Sequence, residues 1–213
     1  MNRTLEVGLI DYDMGNLKSV AKALEKTGSE VRLVNEPSRL KGIDVLVLPG
    51  VGAFDAAVRN LKKRRLFGPV QNWIETQKPF LGICLGYQLL FEKGEEGRSR
   101  QKGLGIFKGN VRRFPKKRSL KVPHMGWNRI RWDKKSAAGS GLAESIPDGS
   151  YFYFVHSYFP VPSERKWVST TTKYGIPFAS SITKGRLFAC QFHPEKSGEN
   201  GLRLLKNFLA SAA

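Results

Sequence analysis

The chain has 213 residues, 40% of them hydrophobic and 11% aromatic, and a formal charge of +18. This length and composition are typical of one folded domain that closes its core without disulfide or metal support, and they argue against intrinsic disorder. The charge would attract polyanions, but the basic clusters at 62–65 and 112–121 offer no interleaved aromatic residue beyond Phe114. We interpret both clusters as solvated surface and expect no nucleic-acid partner, although a phosphorylated substrate or an acidic partner would also fit the charge.

The N-terminus and the cysteines indicate the compartment. Acidic residues flank the short apolar run 7–10, a pattern too short and too acidic for a secretory signal. No apolar run reaches membrane-spanning length. Cys84 and Cys190 belong to no C-x-x-C pair, so a disulfide framework or zinc site has no support. We therefore expect a cytoplasmic protein of one domain, residues 1–213, with no membrane partner.

Short apolar runs alternate with amphipathic segments in the first half of the chain. Strands are predicted at 5–10, 30–34, 45–48 and 79–83. Helices are predicted between them, at 17–28, 55–63 and 69–77. This alternation predicts βαβ units, and hence a mostly parallel sheet covered by helices on both faces.

The second half is richer in aromatic and β-branched residues. After about Gly103, strands are predicted at 151–159, 167–172 and 187–192. Turns separate these runs, so we expect antiparallel additions to the sheet. A last helix carries Leu202, Leu205 and Leu209 on one side and would cover the sheet again. The predicted fold class is α/β, a single domain with a mostly parallel central sheet, flanking helices and antiparallel additions.

Cys84 is the predicted nucleophile. It lies in the run Gly-Ile-Cys-Leu-Gly at 82–86, between a predicted buried strand and a predicted helix with apolar residues at 89–91, which is the context of a nucleophile elbow. The glycines suit that turn because only small residues avoid collision on either side of a strained position. The start of a helix also favours the thiolate. The alternative, a cysteine buried as a small hydrophobic residue, suits Cys190 better, since it has apolar neighbours and no adjacent turn.

The run Gln-Phe-His-Pro-Glu at 191–195 supplies a base and a carboxylate. His193 and Glu195 are two residues apart at a predicted strand end, where alternate residues face the same way, and the proline between them rigidifies the segment. His193 is therefore the predicted base for Cys84, and it would later protonate the leaving amine. Glu195 would orient the imidazole ring and stabilise its protonated form.

Two backbone N–H groups are predicted to form an oxyanion hole, one at the helix start, Leu85, and one in the glycine-rich loop at Gly52. No phosphate-loop or zinc-helix pattern occurs, and the run at 103–108 lacks the third glycine of a dinucleotide loop. We expect neither a cofactor nor a metal. His124 and His156 have no acid nearby in the sequence, so we interpret both as structural hydrogen-bonding residues.

These motifs together resemble the class I, triad-type glutamine amidotransferase family, whose hallmark is a cysteine in G-x-C-x-G and a distant H-P-E. Further runs resemble the branch of that family that serves imidazole glycerol phosphate formation in histidine biosynthesis, and they lie at 10–17, 48–54, 123–128, 153–158 and 193–197. The resemblance spans nearly the whole chain. It implies glutamine contacts, carried over by position, at Gly52, Gln88, Glu96, His156, Ser157 and Tyr158.

The same resemblance implies a partner protein. Glutamine would be hydrolysed to glutamate and ammonia, and the ammonia would pass to a cyclase subunit that makes imidazole glycerol phosphate and an aminoimidazole carboxamide ribotide. The partner contacts implied by position are Met14, Asn16, Trp127, Tyr153 and Lys196. One departure from the family is Gly94, where serine is common, and it predicts a looser loop before Glu96.

Three other functions compete with this one. A related glutaminase subunit serving nucleotide, anthranilate or pyridoxal phosphate synthesis would use the same triad, but the run Pro-His-Met-Gly-Trp-Asn at 123–128 argues against it. A cysteine peptidase on a similar α/β fold would also use an elbow cysteine and a histidine. A non-enzymatic binding module is suggested only by the charge.

Overall fold

An eight-stranded sheet organises the computed structural model, which describes residues 4–96, 101–116, 120–133 and 141–212. The strands are β1 (Glu6–Ile10), β2 (Glu30–Val34), β3 (Val45–Leu48), β4 (Phe80–Ile83), β5 (Phe91–Gly94), β6 (Phe107–Arg113), β7 (His124–Arg129), β8 (Arg131–Trp132), β9 (Tyr151–His156), β10 (Tyr158–Pro162), β11 (Val168–Tyr174), β12 (Ile176–Lys184) and β13 (Leu187–Cys190). The helices are α1 (Leu17–Glu25), α2 (Phe54–Lys63), α3 (Phe67–Glu75), α4 (Leu85–Gln88) and α5 (Gly198–Ala212). None of the helices in these ranges combines the length and the apolar character needed to cross a membrane.

Parallel strands form one side of the large sheet. In the order β2-β1-β3-β4-β13 every neighbouring pair is parallel. Beyond β13 the strands β12, β11 and β8 continue the sheet with antiparallel pairing. The predicted parallel sheet and its antiparallel additions are therefore confirmed. Because β4 and β13 run side by side in the same direction, the residues that follow them, including Cys84 and His193, meet at one edge of the sheet.

Helices cover both faces of this sheet, as predicted. Val45 and Val47 belong to the hydrophobic cluster that includes the buried residues of α1 and α5, whereas Leu46 and Leu48 belong to the cluster that includes those of α2 and α3. Successive side chains of a strand point to opposite faces, so β3 is buried on both. This double burial explains why the strand is an unbroken apolar run in the sequence.

A helix does begin after Cys84, but the prediction that it carries residues 89–91 is wrong. Helix α4 ends at Gln88, and the apolar residues expected to extend it lead into β5, which pairs with β6. The Leu104 N–H donates to the Leu89 carbonyl at 2.7 Å, which ties the end of the short helix to the returning chain. Leu89 and Leu90 are thus buried in a turn and Phe91 in a strand, because apolar character alone does not distinguish helix from other buried structure.

The predicted single strand at 151–159 is also wrong, because it is two strands in two smaller sheets. Strand β9 pairs with β7 as an antiparallel ribbon, and β10 joins β6 and β5. The break falls at Ser157, whose carbonyl accepts the Phe114 N–H at 3.0 Å. Alternating burial along β9 leaves one face of the ribbon open.

Candidate active site

Cys84 occupies the turn between β4 and α4 in a strained backbone conformation, with φ 54° and ψ −104°. Residues other than glycine rarely adopt a positive φ, so the surrounding packing must hold this one. A Cβ on Gly86 would collide with the carbonyl oxygen of Leu48, and a Cβ on Gly82 would lie 3.0 Å from the Cβ of Ala189. The flanking glycines therefore fulfil the role that the elbow interpretation predicts.

The pairing of β4 with β13 places His193 and Glu195 beside Cys84. The Cys84 N–H donates to the Cys190 carbonyl at 2.8 Å, and the His193 N–H donates to the Tyr153 carbonyl at 2.9 Å. Nδ1–H of His193 donates to Oε1 of Glu195 at 2.8 Å, and the two side chains are 3% and 2% exposed. Nε2 of His193 is buried and has no hydrogen-bond partner within the described residues. This nitrogen is therefore available to exchange a proton with the thiol.

The charges of these three groups are coupled. Burial, the strongest influence, disfavours a charged imidazole, but the Cys84 thiolate and then the Glu195 carboxylate outweigh it and raise the pKa of His193 to about 10. His193 can therefore hold a proton at neutral pH and give it to a leaving group. Cys190 is fully buried, and burial raises the pKa of its thiol. Its predicted place in the core is confirmed.

A cleft of ≈ 390 Å³ opens beside the nucleophile. Its lining includes Cys84, Leu85 and the predicted glutamine contacts Gly52, Gln88, Glu96, His156, Ser157 and Tyr158. The volume lies near the lower end of the range for small-molecule sites, which suits a single amino acid. The structure thus brings the whole set of residues inferred for glutamine together around the sulfur.

The two predicted oxyanion donors lie beside this cleft, but one of them is occupied. The Leu85 N–H donates to the carbonyl oxygen of Gly50 at 3.3 Å. Gly52 has a φ of +105°, which glycine adopts without strain. The hydroxyl of the buried Tyr12 donates to the Pro49 carbonyl at 2.8 Å and so holds the same loop. Aiming the Leu85 N–H at a substrate would require the Gly50 peptide to rotate.

A chain of hydrogen bonds connects the two other histidines. The Tyr158 carbonyl can only accept, so Nδ1–H of His156 donates to it at 2.8 Å and Nε2 must accept. His124 Nδ1–H donates to that Nε2 at 3.0 Å, and His124 Nε2 accepts from Asn128 at 3.1 Å. Burial lowers the pKa of His124 to about 4 and that of His156 to about 3, so both rings are neutral. Their predicted structural hydrogen bonding is confirmed, and both ring nitrogens of His156 form hydrogen bonds within the protein.

Gln191 touches the nucleophile, although sequence reasoning assigned it no role. Its Nε2 donates to Cys84 Sγ at 3.5 Å, and its Oε1 accepts from Gln88 Nε2 at 3.1 Å. The residue is fully buried. The sequence held one signal, because Gln191 is a polar residue in the otherwise apolar run 187–192, two residues before His193.

Glu96 is held by a backbone bond at the start of α2. Its Oε2 accepts the Phe54 N–H at 2.7 Å. The looser loop predicted from Gly94 is wrong, because Gly94 ends β5 and pairs with Val111. A Cβ on Gly94 would lie 2.9 Å from Phe54 Cγ. Glycine at this position therefore leaves room for Phe54, whose N–H holds the carboxylate.

Three of the predicted partner contacts lie together on the open face of the β7–β9 ribbon. Trp127 is 55% exposed, its ring centroid lies 6.2 Å from that of Tyr153, and Lys196 Nζ lies 5.8 Å from the Tyr153 ring. Met125 and Tyr151, 67% and 47% exposed, enlarge this exposed surface on the same two strands. We call these five residues the ribbon patch. Exposed apolar surface of this extent is typical of a binding face.

The other two predicted partner contacts, Met14 and Asn16, lie in the loop between β1 and α1. Asn16 is exposed, and its Oδ1 accepts the Ser19 N–H at 3.2 Å, which caps α1. A Cβ on Gly52 would lie 3.0 Å from Met14 Cε, so Met14 packs close to the predicted oxyanion loop. Asn16 therefore lies at the start of α1, and Met14 lies beside the loop that lines the cleft.

Comparisons with known proteins agree with this geometry. Residues 8–212 match the family model of glutamine amidotransferase class-I. The chain is 48% identical to the imidazole glycerol phosphate synthase subunit HisH of Synechococcus sp. (strain JA-3-3Ab), over 99% of this chain and 96% of that protein. It is also 48% identical to the subunit HisH of Moorella thermoacetica, over 95% of this chain and 93% of that protein. A solved glutamine amidotransferase covers 97% of this chain and 98% of its own with a TM-score of 0.69, and at 21% identity this likeness concerns the fold alone.

Proposed function

The chain belongs to the class-I glutamine amidotransferase family, and we propose that it is the glutaminase subunit of an imidazole glycerol phosphate synthase. In this role it hydrolyses L-glutamine to glutamate and ammonia and passes the ammonia to a cyclase subunit. The observation that carries the proposal is the buried arrangement of Cys84, His193 and Glu195 beside a cleft of amino-acid size. Similarity over nearly the full length to subunits HisH supports this choice among glutaminases.

Transfer of the glutamyl group to Cys84 is the first half of the proposed reaction. The thiolate attacks the side-chain amide carbon of glutamine, a C–S bond forms, and the carbonyl electron pair moves onto oxygen. His193 gives its Nε2 proton to the amide nitrogen as the C–N bond breaks, which releases ammonia and leaves a thioester. Glu195 holds the ring through Nδ1 and stabilises its charged form.

Hydrolysis of the thioester restores the enzyme. Neutral His193 takes a proton from water as the water oxygen attacks the thioester carbon, and the C–S bond then breaks to release glutamate and the Cys84 thiolate. Negative charge develops on the carbonyl oxygen in both halves of the reaction. The N–H groups of Leu85 and Gly52 would stabilise that charge once the Gly50 carbonyl has turned away.

The ribbon patch, with Met14 and Asn16, is the proposed docking face for the cyclase subunit. Exposed aromatic residues such as Trp127 are the kind that anchor protein interfaces. The same ribbon reaches the nucleophile, because the Val155 carbonyl oxygen lies 3.9 Å from Cys84 Sγ. A subunit docked here would enclose the ammonia, which free water would protonate and make non-nucleophilic. We place this pair of subunits in the cytoplasm and in histidine biosynthesis.

Glutamate release, measured with and without the cyclase subunit and its ribonucleotide ligand, tests the proposal. We expect slow release from the chain alone and an increase of roughly 100-fold in the complex, the scale of one oxyanion donor. In the complex, Cys84→Ala should abolish synthesis from glutamine and retain synthesis from ammonium salts. Equal release with and without the partner would contradict the coupled function, and partner-free peptide cleavage would favour a peptidase.

A further inference from the structure

A buried amide network connects the nucleophile to the glutamine cleft. Gln191 has no exposed surface, and its Nε2 lies 3.5 Å from Cys84 Sγ while its Oε1 lies 3.1 Å from Gln88 Nε2. Gln88 is 6% exposed, and its Nε2 also donates to the Tyr158 carbonyl at 3.0 Å. The network therefore leads from the sulfur through two amides to the backbone of the cleft.

Only one orientation of the two amides satisfies these contacts. The Tyr158 carbonyl can only accept, so the Gln88 atom that faces it must be the NH₂ group. The same NH₂ group also faces the Gln191 oxygen, which leaves the NH₂ group of Gln191 to face Cys84. Turning either amide over would set two oxygens or two NH₂ groups against each other. The oxygen of Gln88 is thereby left as an acceptor at the cleft that this residue lines.

We propose that Gln191 is a positioning residue that holds Cys84 as the thiolate and fixes the orientation of Gln88, the proposed glutamine contact beside it. The inference rests on the proposed glutaminase function and adds a member to its site outside the triad.

The sheet holds both ends of the contact between nitrogen and sulfur. The Gln191 N–H donates to the Ser180 carbonyl at 2.8 Å, and the Cys84 N–H donates to the Cys190 carbonyl at 2.8 Å. A buried ion needs donors in place of the water it has lost, and an amide fixed by the backbone supplies one without reorganisation. Removing the amide would leave the thiolate and one N–H of Gln88 each short of a partner.

Two substitutions separate the role of the amide from that of its volume. Gln191→Met keeps the length of the side chain and removes both polar atoms, whereas Gln191→Glu keeps an acceptor and replaces the donor by a second oxygen. The matched control is Gln71→Met, since Gln71 Nε2 donates to the Leu104 carbonyl away from the cleft. Urea unfolding identifies which variants are folded, and Gln191→Glu decides the question if Gln191→Met does not fold.

The readout is the rate of Cys84 alkylation by iodoacetamide between about pH 5 and pH 10, because only the thiolate reacts. Mass spectrometry of the alkylated peptide distinguishes Cys84 from Cys190. We expect the midpoint of the profile to rise by about one pH unit in Gln191→Met and by more in Gln191→Glu, which slows alkylation near neutral pH about tenfold or more. Gln71→Met should match the wild type.

A second readout in the cyclase complex tests the effect on Gln88. We expect Gln191→Met to raise the KM for glutamine about tenfold, the effect of losing one oriented hydrogen bond to a charged group, and to leave synthesis from ammonium salts unchanged. Alkylation profiles of folded Gln191→Met and Gln191→Glu that overlay the wild type would overturn the inference. Alkylation of Cys84 needs no turnover, so the two assays separate the two claims. An unshifted alkylation profile in an active glutaminase would contradict only the role of Gln191. Absence of glutamate release would contradict the proposed function.

Discussion

The backbone N–H of Leu85 lies 3.3 Å from the carbonyl oxygen of Gly50 and donates to it. One of the two proposed oxyanion donors is therefore occupied, and the chain by itself is arranged for slow hydrolysis. A Cβ on Gly50 would collide with the Tyr12 hydroxyl, which donates to the Pro49 carbonyl at 2.8 Å. Tyr12 thus stabilises the loop conformation in which the Gly50 carbonyl accepts the Leu85 N–H.

We expect Tyr12→Phe to raise the glutaminase rate of the isolated chain about fivefold. Losing the bond to Pro49 lowers the free-energy cost of rotating the loop by about 1 kcal/mol, which corresponds to this factor. The matched control is Tyr174→Phe, which removes a hydroxyl bond to the Lys121 carbonyl outside the loop. A Tyr12→Phe rate equal to or below that of the control would contradict the holding role.

Cys84→Gly should be more stable than Cys84→Ala. A side chain at φ 54° and ψ −104° costs about 1–3 kcal/mol that glycine does not incur, and the greater freedom of unfolded glycine offsets about 0.5–1 kcal/mol of that gain. We expect urea unfolding to give Cys84→Gly the larger free energy of unfolding by about 1 kcal/mol. At Cys190, inside β13, the glycine variant should instead be the less stable of the two. A Cys84→Gly variant less stable than Cys84→Ala, as expected at Cys190, would show that the elbow is not strained.

The His193–Glu195 pair should make stability depend on pH above neutrality. Burial disfavours the charged ring, yet the Cys84 thiolate and Glu195 raise the pKa of His193 to about 10, above its ordinary value of 6.5. The stabilisation is therefore fully present below pH 6.5 and is lost as the pH rises towards about 10. We expect the advantage of the wild type over Glu195→Gln in urea unfolding to be largest near pH 6.5 and to shrink steadily up to pH 10. A difference that stays constant across this range would contradict the coupling.

Trp127→Ala should weaken binding of the cyclase subunit about 30-fold. Tryptophans at the centre of interfaces commonly contribute about 2 kcal/mol or more, and Trp127 meets Tyr153 edge to face in the ribbon patch. Calorimetry measures the dissociation constant, with Leu33→Ala as control, since Leu33 is 42% exposed on β2 and lies outside the patch. Similar losses in both variants would place the docking face elsewhere.

The amino-acid pattern by itself determined the parallel half of the sheet and the candidates for the triad. The run 45–48 is apolar throughout because both faces of β3 are buried, and that periodicity is a local property of the chain. Glycines flank Cys84 because larger residues would collide there. The pattern also named His193 and Glu195, but the extended segment predicted for them is wrong, because Pro194–Lys196 forms a 3₁₀ turn that brings Glu195 Oε1 to His193 Nδ1. These are relations between near neighbours in sequence, which residue type and spacing encode.

Only the tertiary structure decided which distant segments meet. The run 151–159 is divided between two small sheets. The Leu85 N–H donates to the Gly50 carbonyl, and the Gln191 amide donates to Cys84 Sγ. Each of these features depends on segments that are distant in sequence, and the periodicity of residue types does not show which distant segments pair. They follow from how the packed sheet aligns the ends of its strands, so the surroundings of Cys84 depend on the complete fold.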